Sequence, residues 1–263
     1  MNETLSEFGN MLHQRQSSCI HDPTSTHLDT YWSTEDYLFC GFSLAEYGSL
    51  DELTANAYEV ILNYASELNY HLQRCWHFIP RIHELERDVE RYQLFCSGRH
   101  KALIISGAFK PHELPAASAV GSEGGLFNIF ALLGKQRGEC IENPHQVSAY
   151  NYPKQYGVDS PSFSRAYKVD DTLFISGTAS IKGHMTQHPS NLRKQLRETQ
   201  LRIDSLLEEL TPKYLTAYVK EAKDVPEVEK FIKLNYDTVD SYKIVSADIC
   251  REDLMVEIEL IAQ

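Results

Sequence analysis

Apolar residues are spaced along the first part of the chain in a way that predicts alternating strands and helices. Segments 37–42 and 72–79 are short apolar runs of strand length, and segment 51–68 between them carries apolar residues three or four positions apart. Spacing of this kind places apolar side chains on one helix face, whereas short continuous runs are typical of buried strands. The first elements are therefore predicted to be a strand, a long helix and a second strand.

The next three segments continue this pattern. Segment 81–92 is rich in charged residues and predicts a short helix, while 101–109 and 126–133 are apolar runs that predict strands. The first half is thus predicted to hold its helices and strands in the order strand, long helix, strand, short helix, two strands.

The second part of the chain repeats this order. Strands are predicted at 146–152, 163–169 and 172–176, and a long helix is predicted to open at Pro189 with Ser190 as its N-cap. The remaining elements are a strand at 215–220, a helix opened by a capping box from Asp224 to Glu227, and strands at 243–249 and 254–261.

Together these elements predict an α+β fold of two similar halves, each a mixed β-sheet with helices on one face. Residues 1–34 are polar and predict an N-terminal arm with little core of its own. Gly138, Asn143 and Pro144 interrupt the pattern. We therefore expect a first domain at 35–141 and a second at 142–263.

Composition narrows the function classes. The 263 residues carry a net charge of −12, which argues against binding to nucleic acid or to an anionic membrane surface. No run approaches the ~20 apolar residues of a membrane span, and the N-terminus lacks the features of a secretory signal. The six cysteines show no CxxC spacing, which favours reduced thiols in the cytoplasm and no zinc site.

Five long motifs, in the same order, resemble the chorismatase family. They are ERYQLFCSGRH at 90–100, LPAASAVGSEGG at 114–125, ENPHQVSAYNYPKQYGVDSPSFSRA at 142–166, LFISGTASIKGHMTQHP at 173–189 and ADICREDLMVEIE at 247–259. The run LMVEIELIA at the end of the chain also resembles the closing strand of the RidA family. The resemblance covers about residues 70–260 and is weak before residue 60. It implies that both halves have the RidA-like fold.

The resemblance also implies an activity. Chorismatases convert chorismate to a dihydroxycyclohexadiene acid or to hydroxybenzoates, with release of pyruvate. Breaking the enol ether of chorismate requires a proton on its terminal methylene carbon. A carboxylic acid that burial keeps protonated can supply it, so we expect neither a cofactor nor a metal.

Glu257 is the candidate for this acid. In the predicted strand 254–261, Leu254 and every second residue after it are apolar and are expected to face the helices. Glu257 and Glu259 then face the opposite side, where RidA-like folds have their clefts. The alternative is an ordinary solvated glutamate on a strand face.

Two further positions bear on the product. In the family that this chain resembles, a cysteine at Cys250 accompanies hydroxybenzoate formation, and a thiol there can act as a nucleophile or as a weak acid or base. The alternative is a small residue that fills a strand end. Ala179 matches a second variable position and favours the hydrolytic subtype, so the product stays open among 3-hydroxybenzoate, 4-hydroxybenzoate and the diol.

The substrate's two carboxylates require cations, preferably the planar fork of arginine. Arg165 and Arg99 lie inside the motifs and are the first candidates. Lys154 and His145 occupy positions where the resemblance leads us to expect arginine, which would weaken the grip on a carboxylate. Any one of these residues can alternatively be an ordinary surface charge.

Tyrosines at 150, 152 and 156 are candidates for the pocket wall, and Tyr152 is taken as a substrate-binding residue. Each can hydrogen-bond a carboxylate or a hydroxyl, although at least one of the three is expected in the core.

Two other functions remain open. The closing strand is compatible with RidA-like hydrolysis of enamines or imines. The replaced basic residues and the short N-terminal half are compatible with a catalytically degenerate protein that binds a small aromatic acid. In each case the partner is a small molecule. Two fused halves can bury within one chain the surface that RidA proteins bury as trimers, so a monomer is favoured over a trimer.

Overall fold

The computed structural model describes residues 29–46 and 48–263. Helices in this part of the chain are α1 (Leu50–Leu68), α2 (Arg91–His100), α3 (Leu192–Leu207) and α4 (Val225–Asn235). Strands of the N-terminal half are β1 (Asp29–Ser33), β2 (Tyr37–Ala45), β3 (His71–Pro80), β4 (Leu85–Glu86), β5 (Val89–Glu90), β6 (Ala116–Ser122) and β7 (Leu126–Gly134). Strands of the C-terminal half are β8 (Glu139–Ile141), β9 (Ala166–Val169), β10 (Thr172–Ala179), β11 (Ile181–Lys182), β12 (Met185–Thr186), β13 (Pro212–Val219), β14 (Ser241–Ser246) and β15 (Val256–Ala262).

Most of these strands form two large mixed sheets that share a five-strand topology, and β8 adds a sixth strand to the second sheet. The first has the order β1-β2-β7-β3-β6, and the second has the order β14-β13-β15-β10-β9-β8. In each sheet one neighbouring pair is parallel, β3 with β6 and β13 with β14, and the other neighbours are antiparallel. The prediction of an α+β fold with two similar halves is confirmed. Strand pairing changes sheet between Gly134 and Glu139, a few residues before the predicted domain boundary.

Each half has its helices on one face of its sheet, as the apolar spacing predicts. Tyr58 and Ile61 of α1 are fully buried against Phe127 and other inward residues of β7. In the second half, α3 packs in the same way against Ile258 and its neighbours on β15. Burial of these apolar faces is the main source of stability of each half.

The two sheets face each other across a seam on their helix-free sides. Its apolar part consists of side chains from both halves, among them Phe39, Trp76, Phe174 and Ile261. A hydrogen bond joins β6 to β10, where the Ser176 hydroxyl accepts from the backbone N–H of Ala117 at 2.8 Å. The same hydroxyl donates to the carbonyl of Ser164, within the C-terminal half, at 2.6 Å. The seam brings residues that are distant in sequence to one place.

Two predictions in the first half are wrong. Segment 81–92 forms the β4–β5 hairpin, and helix α2 begins only at Arg91. Arg87 and Asp88 have φ of 53° and 62°, a left-handed pair that closes a tight hairpin turn. Segment 101–109, predicted as a strand, continues α2 as a π-helix at Lys101–Ile105, because an apolar run that short does not distinguish buried helix from buried strand.

Three predictions in the second half are also wrong. Segment 146–152 contains a 3₁₀ turn at Ala149–Asn151 instead of a strand. The N-cap of α3 is Asn191, whose side chain accepts from the N–H of Lys194, while Ser190 lies one residue earlier with a φ of 61°. The side chain of Asp224 makes no capping hydrogen bond, so the predicted capping box is absent.

The predicted N-terminal arm is only partly covered. Residues 29–33 form β1, which pairs with β2 at the edge of the first sheet, whereas 1–28 lie outside the described residues. No helix within the described ranges is long and apolar enough to cross a membrane.

Candidate active site

A cavity of about 840 Å³ opens along the seam between the two halves. Its walls come from α2 and β6 of the N-terminal half and from β10, β15 and two loops of the C-terminal half. Predicted site residues that line it are Glu257, Cys250, Arg165, Arg99, Tyr152 and Ala179. Lys154 and His145 are exposed and do not border it, because the 142–156 loop folds into turns that direct both outward. The predicted substrate contacts of these two residues are not supported by their positions.

Glu257 lies on β15 and is only 4% exposed. Its strand neighbours Val256 and Ile258 pack towards the helices, so the predicted alternation places the carboxyl on the cavity side. Gly177 of β10 makes room for it, since a Cβ at that position would overlap the Glu257 carboxyl. A larger residue than glycine at 177 would therefore displace the acid.

The surroundings of Glu257 keep it protonated. Burial, followed by the nearby carboxylate of Glu259, raises its pKa to about 8, against the opposing charges of Arg74 and Arg165. At neutral pH the carboxyl therefore carries a proton while lining a cavity large enough for a small molecule. Such a group is suited to general acid catalysis, which needs a pKa near the working pH.

Arg99 reaches the cavity from α2 and is 2% exposed. Its guanidinium lies over the ring of Tyr58 at 5.4 Å, and its Nε and Nη2 atoms are buried without a hydrogen-bond acceptor among the described residues. Tyr58 and Cys75 nearby supply no counter-charge, because burial raises the pKa of both. A buried guanidinium in this state is costly and would be stabilised by an anion entering the cavity.

Arg165 is held in place by two aromatic rings and by two hydrogen bonds. It lies between the rings of Phe163 and Tyr152, at 5.3 and 5.5 Å, and its Nη2 donates to the carbonyl of Val147 and to the hydroxyl of Tyr152, both at 2.8 Å. Its Nε atom is buried without an acceptor within the described part of the chain. The packing fixes the guanidinium plane at the wall of the cavity.

Arg251 is a third cation in the wall that the sequence analysis missed. Its guanidinium lies 4.1 Å from the ring centre of Tyr156 and 5.4 Å from that of Tyr152, and its Nη1 donates to the carbonyl of His184 at 2.9 Å. It follows Cys250 inside the 247–259 motif, so that motif contained the signal. Tyr150, by contrast, packs against the core of the N-terminal half, as expected for one of the three tyrosines.

Cys250 and Ala179 flank the acid. Ala179 is paired with Glu257 across the β10–β15 ladder, and Cys250 lines the same wall. Burial, followed by the nearby Glu257, raises the pKa of Cys250 to about 12. Its sulfur is therefore a neutral thiol at neutral pH, which disfavours the nucleophilic role and leaves the roles of weak acid or space-filling group.

Comparisons with known proteins agree with this geometry. The family described as "Chorismatase FkbO/Hyg5-like, N-terminal" matches residues 17–133, so the likeness begins well before residue 70, where the motif-based resemblance started. The 3-hydroxybenzoate synthase of Streptomyces hygroscopicus is 32% identical, with 88% of this chain and 75% of that protein covered. A chorismatase of Streptomyces rapamycinicus is 30% identical, with 90% and 78% covered.

A solved structure gives the same result. A crystal structure of a chorismatase superposes with a TM-score of 0.80 at 29% identity, covering 88% of this chain and 76% of that one. The sequence identity with two relatives over most of their length, together with this shared fold, shows that the chain belongs to the chorismatase family.

Proposed function

We propose that the protein cleaves the enolpyruvyl ether of chorismate and releases pyruvate together with a hydroxybenzoate or a dihydroxycyclohexadiene carboxylate. The observation that carries this proposal is a buried, protonated Glu257 in a cavity lined by Arg99 and Arg165, each of which has a buried donor without an acceptor among the described residues. Membership of the chorismatase family supports the same reaction.

Binding is assigned to the arginines. The Nε and Nη2 atoms of Arg99 form the side fork of the guanidinium, which fits a carboxylate with two parallel hydrogen bonds. Arg165 and Arg251 both lie over the ring of Tyr152, at 5.5 and 5.4 Å, and provide positive charge for the second carboxylate. A dianion would therefore be bound by these three arginines of the cavity wall, Arg99, Arg165 and Arg251.

Catalysis is assigned to Glu257. Its proton is transferred to the terminal methylene carbon of the enol ether and leaves an oxocarbenium ion. The carboxylate that remains is stabilised by Arg74 and Arg165. Capture of the cation by water, followed by C–O cleavage, gives pyruvate and the diol. Cleavage of the ring C–O bond of the oxocarbenium ion, with loss of a ring C–H proton and aromatisation, instead gives pyruvate and a hydroxybenzoate that keeps the oxygen of the ring hydroxyl, with no net water consumed.

Product choice is assigned to Cys250 and Ala179, which flank the acid. As a neutral thiol, Cys250 acts by shaping the space beside the ring or by weak acid–base catalysis. The isomer formed follows from which ring positions these two side chains leave open.

The test is incubation with chorismate, with pyruvate followed through lactate dehydrogenase and the ring product identified by chromatography. Pyruvate release by the wild type and its loss in Glu257→Gln support the proposal. Ammonia release from a 2-aminoacrylate source without pyruvate from chorismate would instead identify a RidA-like deaminase. Thermal stabilisation by hydroxybenzoates without turnover would identify a binding protein.

The protein is further proposed to act as a cytoplasmic monomer. Both walls of the cavity come from one chain, so no second subunit is needed to complete it. The cysteines within the described residues are free thiols, as expected in a reducing compartment. Light scattering of the active enzyme at catalytic concentration tests the oligomeric state.

A further inference from the structure

A second carboxylate lies behind the proposed acid. Glu259 is two residues from Glu257 on the same face of β15, is 7% exposed, and does not line the cavity. Its Oε2 accepts from Arg74 Nη2 at 2.7 Å and from the Ser118 hydroxyl, and its Oε1 accepts from Trp76 Nε1 at 2.9 Å. All three partners belong to the N-terminal half. The carboxylate therefore ties β15 to the opposite sheet across the seam.

Ser118 connects this carboxylate to the wall of the acid pocket. Its Oγ also accepts from Arg74 Nη2 at 2.5 Å and from the backbone N–H of Gly177 at 2.9 Å. Gly177 is the residue that leaves room for the Glu257 carboxyl. A movement of Glu259 would consequently be transmitted through Ser118 to the β10 backbone at Gly177, which borders the Glu257 carboxyl.

Glu259 differs from the other groups around Glu257 in the sign of its charge. Arg74 on β3 and Arg165 before β9 are the cations that face it, and Glu259 on β15 is the carboxylate that does so. The other titratable groups coupled to it are neutral at pH 7, because burial raises their pKa; they are Tyr92 on α2, Tyr218 on β13 and Cys250. Among the described residues that face Glu257, Glu259 therefore supplies the negative charge.

We propose that Glu259 is a positioning residue for the reaction, which orients Glu257 and keeps the proton on it until substrate is bound. Its carboxylate is held in place by Arg74 and by the two neutral donors, Ser118 and Trp76, of the N-terminal half. This inference rests on one part of the proposed function, namely that Glu257 is the proton donor. Glu259 itself does not touch the substrate and acts through Glu257.

Glu259→Gln removes the charge and keeps the shape. The basic limb of the pH profile of kcat/KM, expected near pH 8 in the wild type, moves down by about one pH unit or more, since a like charge is lost and Arg74 is left unpaired. Relative to wild type, the Glu259→Gln variant keeps more of its activity at pH 6 than at pH 8. Its kcat falls by a larger factor than its KM rises. Glu259→Asp, which keeps the charge, restores the limb towards its wild-type position. A limb that stays in place in folded Glu259→Gln overturns the proposal.

Ser176→Ala is the matched control. It removes the hydrogen bond that Ala117 makes across the same seam, together with the bond to Ser164 within the C-terminal half, without changing any charge. The basic limb should not move in this variant. An equal downward shift would show that loosening of the seam, and not the charge of Glu259, moves the limb, and would also overturn the proposal.

An infrared titration of the wild type keeps the inference testable if Glu259→Gln does not fold. A buried carboxyl band titrates near pH 8 and is absent from Glu257→Gln, while no second protonated carboxyl band at neutral pH belongs to Glu259. A protonated Glu259 at pH 7 contradicts the proposal. This readout needs no substrate, so absence of pyruvate release would reject the proposed function without deciding the role of Glu259.

Discussion

Strands β7 and β15 occupy equivalent positions in the two sheets, yet their seam-facing side chains differ: β15 carries two carboxyl groups and β7 carries none at the matching positions. Leu132 pairs with Phe39 in the first sheet as Ile261 pairs with Phe174 in the second. Counting back from these positions, Asn128 corresponds to Glu257, and Phe130 corresponds to Glu259. The N-terminal half thus presents an amide and a phenyl ring where the C-terminal half presents two carboxyl groups.

The strands next to them, β3 and β13, also differ: β3 carries the groups that bind a carboxylate, and β13 does not carry them at the equivalent positions. Arg74 and Trp76 of β3 pair with Leu132 and Phe130, whereas the corresponding positions of β13 are Tyr214 and Thr216. At these matched positions the N-terminal half therefore contributes Arg74 and Trp76, and the C-terminal half contributes the two carboxyl groups. Two units with one topology build a single site because their seam-facing residues have diverged.

The largest expected effect is a loss of activity on substitution of Glu257 that substitution of the equivalent residue, Asn128, does not cause. Glu257→Gln should lower pyruvate release from chorismate by a factor of about 10²–10⁴, because an amide cannot deliver the proton. Asn128→Gln, at the matching position of β7, should leave the rate within twofold. Steady-state kinetics of both variants measure the contrast, and a similar loss in Asn128→Gln would mean that the halves do not divide the chemistry in this way.

The next effect concerns the arginines. Arg99→Met and Arg165→Met should each lower kcat/KM about 10- to 150-fold, as expected for loss of a hydrogen bond to a charged group in a buried site. Lys154→Met provides the control, since Lys154 is exposed and outside the cavity. A loss in Lys154→Met as large as in the arginine variants would contradict this assignment of the cations.

A smaller effect appears in stability. The pKa of Glu257 is raised from 4.5 to about 8, so the folded state binds this proton more tightly than the unfolded chain. The carboxyl then destabilises the folded state increasingly as the pH rises from about 4.5 to 8, by an upper limit of about 3 kcal/mol at pH 7. Urea unfolding should show Glu257→Gln more stable than wild type at pH 8 and nearly equal to it at pH 4.5. A variant less stable at pH 8 would show that the buried carboxyl is not a cost to the fold.

The smallest effect on rate is expected at Cys250. Because its thiol is neutral, Cys250→Ala should change pyruvate release by no more than about fivefold, the modest range of a weak acid–base or packing contribution. The ratio of hydroxybenzoate to diol should change more, and chromatography of the ring products measures it. Complete loss of pyruvate would instead point to a covalent role for the sulfur.

The sequence predicted the side of the sheet on which Glu257 lies because its strand has one apolar face, while the 247–259 motif made Glu257 the candidate acid. Alternation over 254–261 allows one orientation that buries Val256 and Ile258, and the same orientation turns Glu257 to the seam. The long motifs supplied Arg99 and Arg165. These inferences depend on local periodicity or on long motifs, both of which the sequence displays directly.

The remaining parts of the site depend on contacts that local pattern does not contain. Arg74 and Glu259 are 185 positions apart, so no periodicity relates them. Lys154 and His145 were assigned to the pocket by motif, but the turns of their loop direct them outward, and turn conformation is poorly specified by apolar spacing. Arg251 lies in the same motif as Cys250, but a motif alone does not show which of its side chains reach the cavity.

The measurement that tests the central claim most directly is the pH dependence of kcat/KM for pyruvate release by the wild-type enzyme. A protonated Glu257 that acts as the acid predicts a rate that is constant below about pH 8 and declines above it, tenfold per unit. A rate that increases through pH 8 would require the ionised carboxylate, and would contradict the assignment of Glu257 as proton donor.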